Sequence, residues 1–282
     1  MKKCPVCSIS LKRIFTNYLF QCQKCSYESS DLKITINSPE TINNIEENIR
    51  EKSLREIRQE NFLTLIKSLK KYTSSNKYLL EVGSAHGWFL NVAKNYFKIL
   101  GLEPDKNILK KNHKGLPVKY GFFPYALNKE DKFDVIVFND VFEHIPDIYL
   151  TLNSCHDHLN THGVLLVNLP SSKGFFYIIA KCFAFFGIKN FLNRMWQKDL
   201  PSPHLHYFNN SNLSALLKKH NFKVLEVGYL PSIKMKNLFN RIRYAGEFNY
   251  ISSLFIYFSI LFFLPFLTIL PKDGMYVISR KA

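Results

Sequence analysis

A chain of 282 residues, 46% hydrophobic and 15% aromatic, has the apolar material for one large domain, or for a medium domain with a small appendage. A net charge of +16 favours polyanionic partners, namely nucleic acid, an anionic membrane or a phosphorylated substrate. The opening "MKKCPVCSIS" lacks the apolar centre of a secretory signal, so the expected setting is a reducing cytoplasm, which disfavours a disulfide framework.

Residues 1–30 read as a small module. Cys4-Pro-Val-Cys7 and Cys22-Gln-Lys-Cys25 hold four of the six cysteines, with fourteen residues between the pairs. Two such knuckles supply four thiolates able to close tetrahedrally on zinc, and "NYLFQC" between them reads as a hairpin strand. Two disulfides or a redox pair are the alternative use of the same residues. A closed four-cysteine site is structural, and in so short a module the metal rather than a core would supply the stability. Cys155 and Cys182 are expected as ordinary buried thiols.

A helical linker is expected over 31–76. Ser38 can cap, Pro39 can occupy the first turn and Glu40 stands close behind. Ile42, Ile45 and Ile49 recur at helical spacing, so a helix or two would run to about Tyr72. The main domain, 77–282, then alternates. "YLLEVG" is a short apolar strand, "WFLNVAKNYF" a helix, "KILGLEP" a strand stopped by Pro104, and "LPVKYG" a weaker third strand. "FDVIVFND" and "GVLLVNLP" follow as strands with a helical "DIYLTLNSCHDHLN" between them. "SNLSALLKKHN" is a capped amphipathic helix, and "FKVLEVGYL" and "GMYVISR" complete the sheet. Strands alternating with helices predict a parallel α/β sheet with right-handed crossovers.

Two apolar insertions, 171–209 and 232–272, interrupt that rhythm. From Ser171 to Gly246, twelve Lys and Arg stand against two acids, Asp199 and Glu226. A basic excess beside the most apolar parts of a chain suits an anionic membrane surface better than a nucleic-acid groove. Phe248 to Pro271 holds no charge and is long enough to span a bilayer, yet "GMYVISR" must rejoin the sheet directly afterwards. Pro265 favours a bent or hairpin form that dips into the membrane. Lys234, Lys236, Arg241 and Arg243 would meet the head groups, and "GFFYIIAKCFAFFG" would extend the same apolar surface. A buried core or a dimer interface is the other reading of these stretches.

The corner "YLLEVGSAHGWFL" places Glu81, Gly83 and Gly87 where a buried strand turns into a helix. Ligands of doubly wound sheets bind at such corners, and an acid ending the second strand, here Glu103, takes ribose hydroxyls. Counting from Gly83, a dinucleotide fingerprint would need glycine at Ala85 and Trp88, so it fails, and no Gly-x-x-x-x-Gly-Lys phosphate loop is present. What remains is acid-x-Gly-x-x-x-Gly, an acid facing a cationic ligand group with glycines making room, or else a tight turn without a ligand.

The pattern resembles motif I of the class I S-adenosylmethionine-dependent methyltransferases. The resemblance continues through "GLEPD", "FDVIVFNDVFEHIPD", "LNTHGVLLVNLPSS" and "HLHYFNNSNLSALLKKHNF". It covers roughly 77–230 and the last ten residues, and looks most like the ubiquinone-biosynthesis and polysaccharide-cluster enzymes. It implies a Rossmann-like methyltransferase sheet, parallel with an antiparallel last strand. It further implies that Glu81, Gly83 and Gly87 line the methionine end, that Glu103 holds the ribose, and that Asn139 and Asp140 lie near the methyl donor. Ala85 stands where the family has glycine. The third strand leads into "GFFPYALN" without the acid that meets adenine in the family, which leaves Phe122 to pack there.

Methyl transfer from a sulfonium needs an aligned acceptor and, for a hydroxyl, a base. His144 in "FEHIPD" is the candidate base, or else an orienting histidine; Glu143 beside it can bind a metal or fix the loop. His204 and His206 are weaker candidates, placed over the acceptor pocket by the resemblance. The expected partners are a small or lipid-linked acceptor, a phenol or a sugar, and an anionic membrane surface, with the enzyme peripheral or monotopic on the cytoplasmic side. A zinc-ribbon RNA methyltransferase is the alternative, although "FNDVFEHIPD" stands where base-amino methylases carry Asn-Pro-Pro-Tyr. A degenerate core that scaffolds a membrane complex is the third reading.

Overall fold

The computed structural model describes residues 2–37, 58–112, 115–231, 239, 242 and 249–282. The expected helix start at Ser38, Pro39 and Glu40, with Ile42, Ile45 and Ile49 along it, lies outside the described residues, as do Lys234, Lys236, Arg241 and Arg243.

Near the N-terminus, β1 (Lys12–Arg13), β2 (Leu19–Gln21) and β3 (Glu28–Ser30) form an antiparallel ladder. After helix α1 (58–69), the chain runs through β4 (Tyr78–Val82), α2 (Trp88–Ala93), β5 (Lys98–Glu103), α3 (Lys106–Asn112) and β6 (Val118–Tyr120). It continues with β7 (Phe133–Asn139), a 3-10 turn over Phe142–His144, α4 (Ile148–His158) and β8 (Leu159–Pro170). The 171–209 insertion carries α5 (Phe175–Phe185), α6 (Asn190–Met195) and β9 (His206–Tyr207). Then come α7 (Asn210–Lys219), β10 (Phe222–Leu230), α8 (Tyr250–Ile269) and β11 (Gly274–Lys281).

The large sheet has seven strands in the order β10-β11-β8-β7-β4-β5-β6. The five from β8 to β6 pair in parallel, and β11 runs antiparallel to both its neighbours. Successive side chains of a strand point to opposite faces, and both faces here are apolar. Leu80, Val82, Ile136 and Phe138 fill one core with α4 and α7; Leu79, Val135 and Val137 fill the other with Phe62, Leu65 and Leu69 of α1. Burial on both faces explains why these strands read as continuous apolar runs. The switch in connection direction falls at β4, with β5 on one side and β7 on the other, so a crevice opens at their carboxyl ends.

Local expectations hold with small shifts. The helix after the first corner is shorter than its pattern, ending at Ala93. The amphipathic helix begins earlier: Asn209 is its cap, with a reciprocal box to Asn212. The apolar run near the C-terminus forms one helix through Pro265 rather than a hairpin, and β11 then rejoins the sheet between β10 and β8. Among the described residues no helix is long and apolar enough to cross a membrane. Cys155 is buried as expected, but Cys182 is exposed. It lies off the stripe of Tyr177, Ala180 and Ala184 with which α5 packs inward.

That stripe packs against Tyr18 and Leu19 of the N-terminal module and against Trp196 and Tyr207. β9 of the insertion completes the small sheet, pairing with β3 at Glu28 to Tyr207 and Ser29 to His206. Glu28, 1% exposed, accepts hydrogen bonds from Gln21 Nε2 at 2.8 Å, from Lys181 Nζ at 2.6 Å and from the Tyr177 hydroxyl. A buried carboxylate with these partners is satisfied, and it ties the module to α5.

Candidate active site

The crevice at the switch point is a cavity of about 870 Å³, within the range of about 300–1,000 Å³ usual for small-molecule sites. Gly83, Ala85, Glu103, Phe122, Asn139, Asp140 and His144 all line it. Glu81 and Gly87 stand behind that wall, Glu81 buried on β4 and Gly87 capping α2.

The turn after β4 shows why its residues are small. Gly83 has φ +70°, and a Cβ there would come within 2.6 Å of Val141. Gly87 also has φ +70°. Ala85 has φ +41°, in the left-handed region that disfavours a side chain, and its N–H donates to Glu103 Oε2 at 2.7 Å. Ala85→Gly should therefore raise stability by about 1 kcal/mol, read as an upward shift in Tm; a lowered Tm would show that the turn tolerates alanine without strain.

Glu103 ends β5 and is gripped at both oxygens, since Asp105 N–H donates to Oε1 at 2.8 Å. Burial pushes its pKa up to about 7, against the pull of those two backbone donors. Glu81 is fully buried and its pKa is held well above the usual carboxylate range, first by burial and then by the charge of Glu103. Its Oε2 has no hydrogen-bond partner. A buried carboxylate oxygen without a donor, beside a glycine turn and an acid aimed into the cavity, suits a cationic ribonucleoside. The residues thus fit S-adenosylmethionine.

Across the crevice, β7 ends at Asn139 and Asp140 follows it at φ +55°. Asn168 of β8 secures both: its Nδ2 donates to Asn139 Oδ1 at 2.6 Å, and its carbonyl accepts from Asp140 N at 2.9 Å. A non-glycine residue kept left-handed by such a bond is characteristic of a functional corner. Arg58 of α1 reaches Asp140 Oδ2 at 3.7 Å.

The far end of the cavity holds Glu143, His144 and His204. His144 Nδ1 donates to the Pro203 carbonyl at 2.9 Å, and its Nε2 stands 3.9 Å from Glu143 Oε1. His206 is elsewhere: its Nε2 donates to the Ile145 carbonyl at 2.8 Å and its Nδ1 accepts from the Tyr27 hydroxyl, with burial lowering its pKa to about 4. It is a neutral structural link between the N-terminal module and the loop that bears His144.

Sequence patterns did not point to the rest of the wall. Ile34, Ile36 and Arg58 from the linker, and Gln197, Leu200 and Pro201 from the insertion, close the cavity from above. Thr35 N–H donates to the Pro201 carbonyl at 2.8 Å, joining the two. Asn37 clasps the chain just after Glu103, donating to the Pro104 carbonyl at 2.7 Å and accepting from Lys106 N–H at 3.2 Å. Their composition is that of any loop; only proximity marks them.

In the N-terminal module, Cys4, Cys7, Cys22 and Cys25 converge, their sulfurs all within 4.8 Å of one another. Recorded separations are 3.5 Å for Cys4–Cys25, 3.2 Å for Cys7–Cys22 and 3.8 Å for Cys7–Cys25. Four thiolates at about 2.3 Å from one zinc would stand about 3.8 Å apart, so the set fits the ion.

Residues 54–227 match the profile of a family described as "Methyltransferase domain". No curated protein matches the chain. Among solved structures, a SAM-dependent methyltransferase from Archaeoglobus fulgidus aligns with a TM-score of 0.55 at 14% identity, over 84% of this chain and 100% of that one. A SAM-dependent methyltransferase from Thermotoga maritima, described as a possible histamine N-methyltransferase, aligns with a TM-score of 0.56 at 15% identity, over 84% and 96%. At such identities the likeness is one of fold.

Proposed function

The chain belongs to the methyltransferase-domain family, and from that premise we propose that it methylates a small amphiphilic acceptor, a phenol or a lipid-linked sugar, at an anionic membrane face. S-adenosylmethionine, when bound, supplies a methyl group made electrophilic by its sulfonium. Glu81, the Gly83–Gly87 turn and Glu103 hold it. Phe122 borders the cavity where the adenine would lie, and Asn139 and Asp140 flank the reacting end. The corner of Glu143, His144 and His204 receives the acceptor hydroxyl and takes charge of its proton.

One observation carries the membrane reading: the insertion that supplies part of the cavity wall also bears an exposed aromatic surface. Phe185 and Phe186 are 76% and 73% exposed, as are, in part, Phe183 of α5, Ile188 of the turn between the helices and Phe191 of α6. The same insertion runs on into Gln197, Leu200 and His204 of the cavity wall. α8 presents Ile251 and Phe255, 77% and 75% exposed, and its C-terminal end is joined to α5 where Phe175 N–H donates to the Pro271 carbonyl at 3.1 Å. Aromatic rings flanked by the exposed Lys189 and Arg194 suit the interface of an anionic bilayer. The four-cysteine module, as a zinc ribbon, would be structural, bracing that insertion through Glu28 and β9.

Purified protein given methyl-labelled S-adenosylmethionine and a lipid extract in anionic vesicles should place label in the lipid fraction. Label found only in RNA, offered in the same assay, would sink this reading.

A further inference from the structure

We propose that Arg58 binds a phosphate ester carried by the acceptor, beside the reacting end of the cavity, and that cofactor binding releases it for that role. The proposal deepens the function given above. It rests on that reading for the reaction, and it selects the lipid-linked sugar over the phenol.

Among the described residues that line the cavity, Arg58 is the only lysine or arginine. Its place is set by α1. It stands one turn before Phe62, on the face that packs Phe62, Leu65 and Leu69 into the core, so the helix carries the guanidinium to the cavity wall. The side chain is 35% exposed. Its one polar contact among the described residues is Asp140 Oδ2 at 3.7 Å, beyond hydrogen-bond length. A guanidinium offers five N–H donors in a planar fork that fits two oxygens of a phosphate.

The neighbouring acids leave room for an anion. Glu103 accepts from the Ala85 and Asp105 N–H groups, and Asp147 caps α4 by accepting from Leu150 N–H at 2.9 Å. Glu143 is held well above the usual carboxylate range, first by burial and then by the charge of Asp140, so it favours the neutral form. Asp140, which holds Arg58 in the cofactor-free protein, flanks the reacting end, where the sulfonium arrives. A sulfonium there competes with Arg58 for the same carboxylate. The guanidinium can then turn to a second anion. Cofactor and phosphate ester should bind with positive coupling, each favouring the other.

A lipid-linked sugar carries phosphate between the sugar and its apolar tail. Ile34 and Ile36 of the linker and Leu200 of the insertion, which close the cavity together with Arg58, give the adjoining tail apolar neighbours.

Hexyl phosphate, hexanol and glucose 1-phosphate are titrated calorimetrically into protein saturated with S-adenosylmethionine, and into protein saturated with S-adenosylhomocysteine, whose thioether carries no charge. Hexyl phosphate should bind saturably, at least tenfold more tightly than hexanol, and more tightly beside the sulfonium than beside the thioether. Glucose 1-phosphate should bind more weakly for want of a tail; equal or tighter binding keeps the anion site and assigns it to a free sugar phosphate. Arg58→Gln should weaken hexyl phosphate at least tenfold and erase the difference between the two cofactor forms. Arg58→Lys, which keeps the charge and loses the fork, should fall between. Neither variant should weaken S-adenosylmethionine binding, and circular dichroism should be unchanged in both. No saturable binding of either phosphate ester by the unaltered protein, or equal binding by Arg58→Gln, would overturn the proposal. So would an equally large loss of cofactor affinity, which would put Arg58 on the cofactor instead. Label reaching lipid without hexyl phosphate binding removes the anion site and leaves the methyltransferase reading; hexyl phosphate binding with no label in lipid does the reverse.

Discussion

Glu103→Ala should weaken S-adenosylmethionine binding by at least a hundredfold in a calorimetric titration. Two hydrogen bonds from ribose hydroxyls to a carboxylate contribute about 1.5–3 kcal/mol each, and about 1.4 kcal/mol is a factor of ten in affinity. The substitution also strips the Ala85 and Asp105 N–H groups of their acceptor, so the turn after β4 loses its brace. Unchanged affinity would remove Glu103 from the site. The same residue predicts a pH dependence. With its pKa raised to about 7, Glu103 is ionised above pH 7 and protonated below it. Cofactor affinity should fall as pH drops through 7, by up to tenfold per unit, and Glu103→Gln should flatten that profile. Stability of the cofactor-free protein should run the other way. A pKa raised on folding means that the folded state holds the proton more tightly. Glu103 therefore stabilises the fold when protonated and withdraws that support as pH climbs from about 4.5 to about 7. Glu81 and Glu143 are also raised by burial, so the flattening by Glu103→Gln is what assigns the slopes to Glu103.

Removing the metal from the cysteine cluster should lower Tm by on the order of 10 °C and abolish methyl transfer as well. Elemental analysis should first find one zinc per chain bound by Cys4, Cys7, Cys22 and Cys25. A strong chelator, or Cys22→Ser, would then release it. The loss should spread beyond the module, because β3 is the edge on which β9 pairs. Tyr27 bonds His206, and His206 bonds Ile145 immediately after His144. Glu28 likewise holds α5 through Lys181 and Tyr177. A zinc site outside the cavity would thus govern the acceptor end through this packing and these hydrogen bonds. No zinc in the purified protein, or an unchanged Tm after chelation, would refute this.

How much was legible beforehand follows from the range of each interaction. Gly83 and Gly87 were readable because a left-handed turn restricts residue type at a single position. Ala85 was singled out only as a departure from the family's glycine; that it too is left-handed emerged from the fold. Asn168 was missed, since an asparagine inside an apolar strand looks like a tolerated polar residue until Asn139 and Asp140 are seen beside it. Likewise, "GFFYIIAKCFAFFG" read as surface because apolarity alone does not say which side of a helix is covered. Tyr177, Ala180 and Ala184 face the N-terminal module, and Phe183, Phe185 and Phe186 do not.

By itself, then, the sequence determined the alternation of strands and helices, the glycine turn, the acid closing β5 and the cysteine knuckles. Each of these is written in neighbouring residues, through side-chain periodicity, backbone sterics or ligand spacing. Only the tertiary structure decided that residues 34–37 and 197–204 close the cavity, that His206 is structural while His204 joins Glu143 and His144, and that the cysteine module is stitched to the insertion. Those facts depend on contacts between segments as much as 179 positions apart, as between Tyr27 and His206, and no local pattern records a distance of that kind.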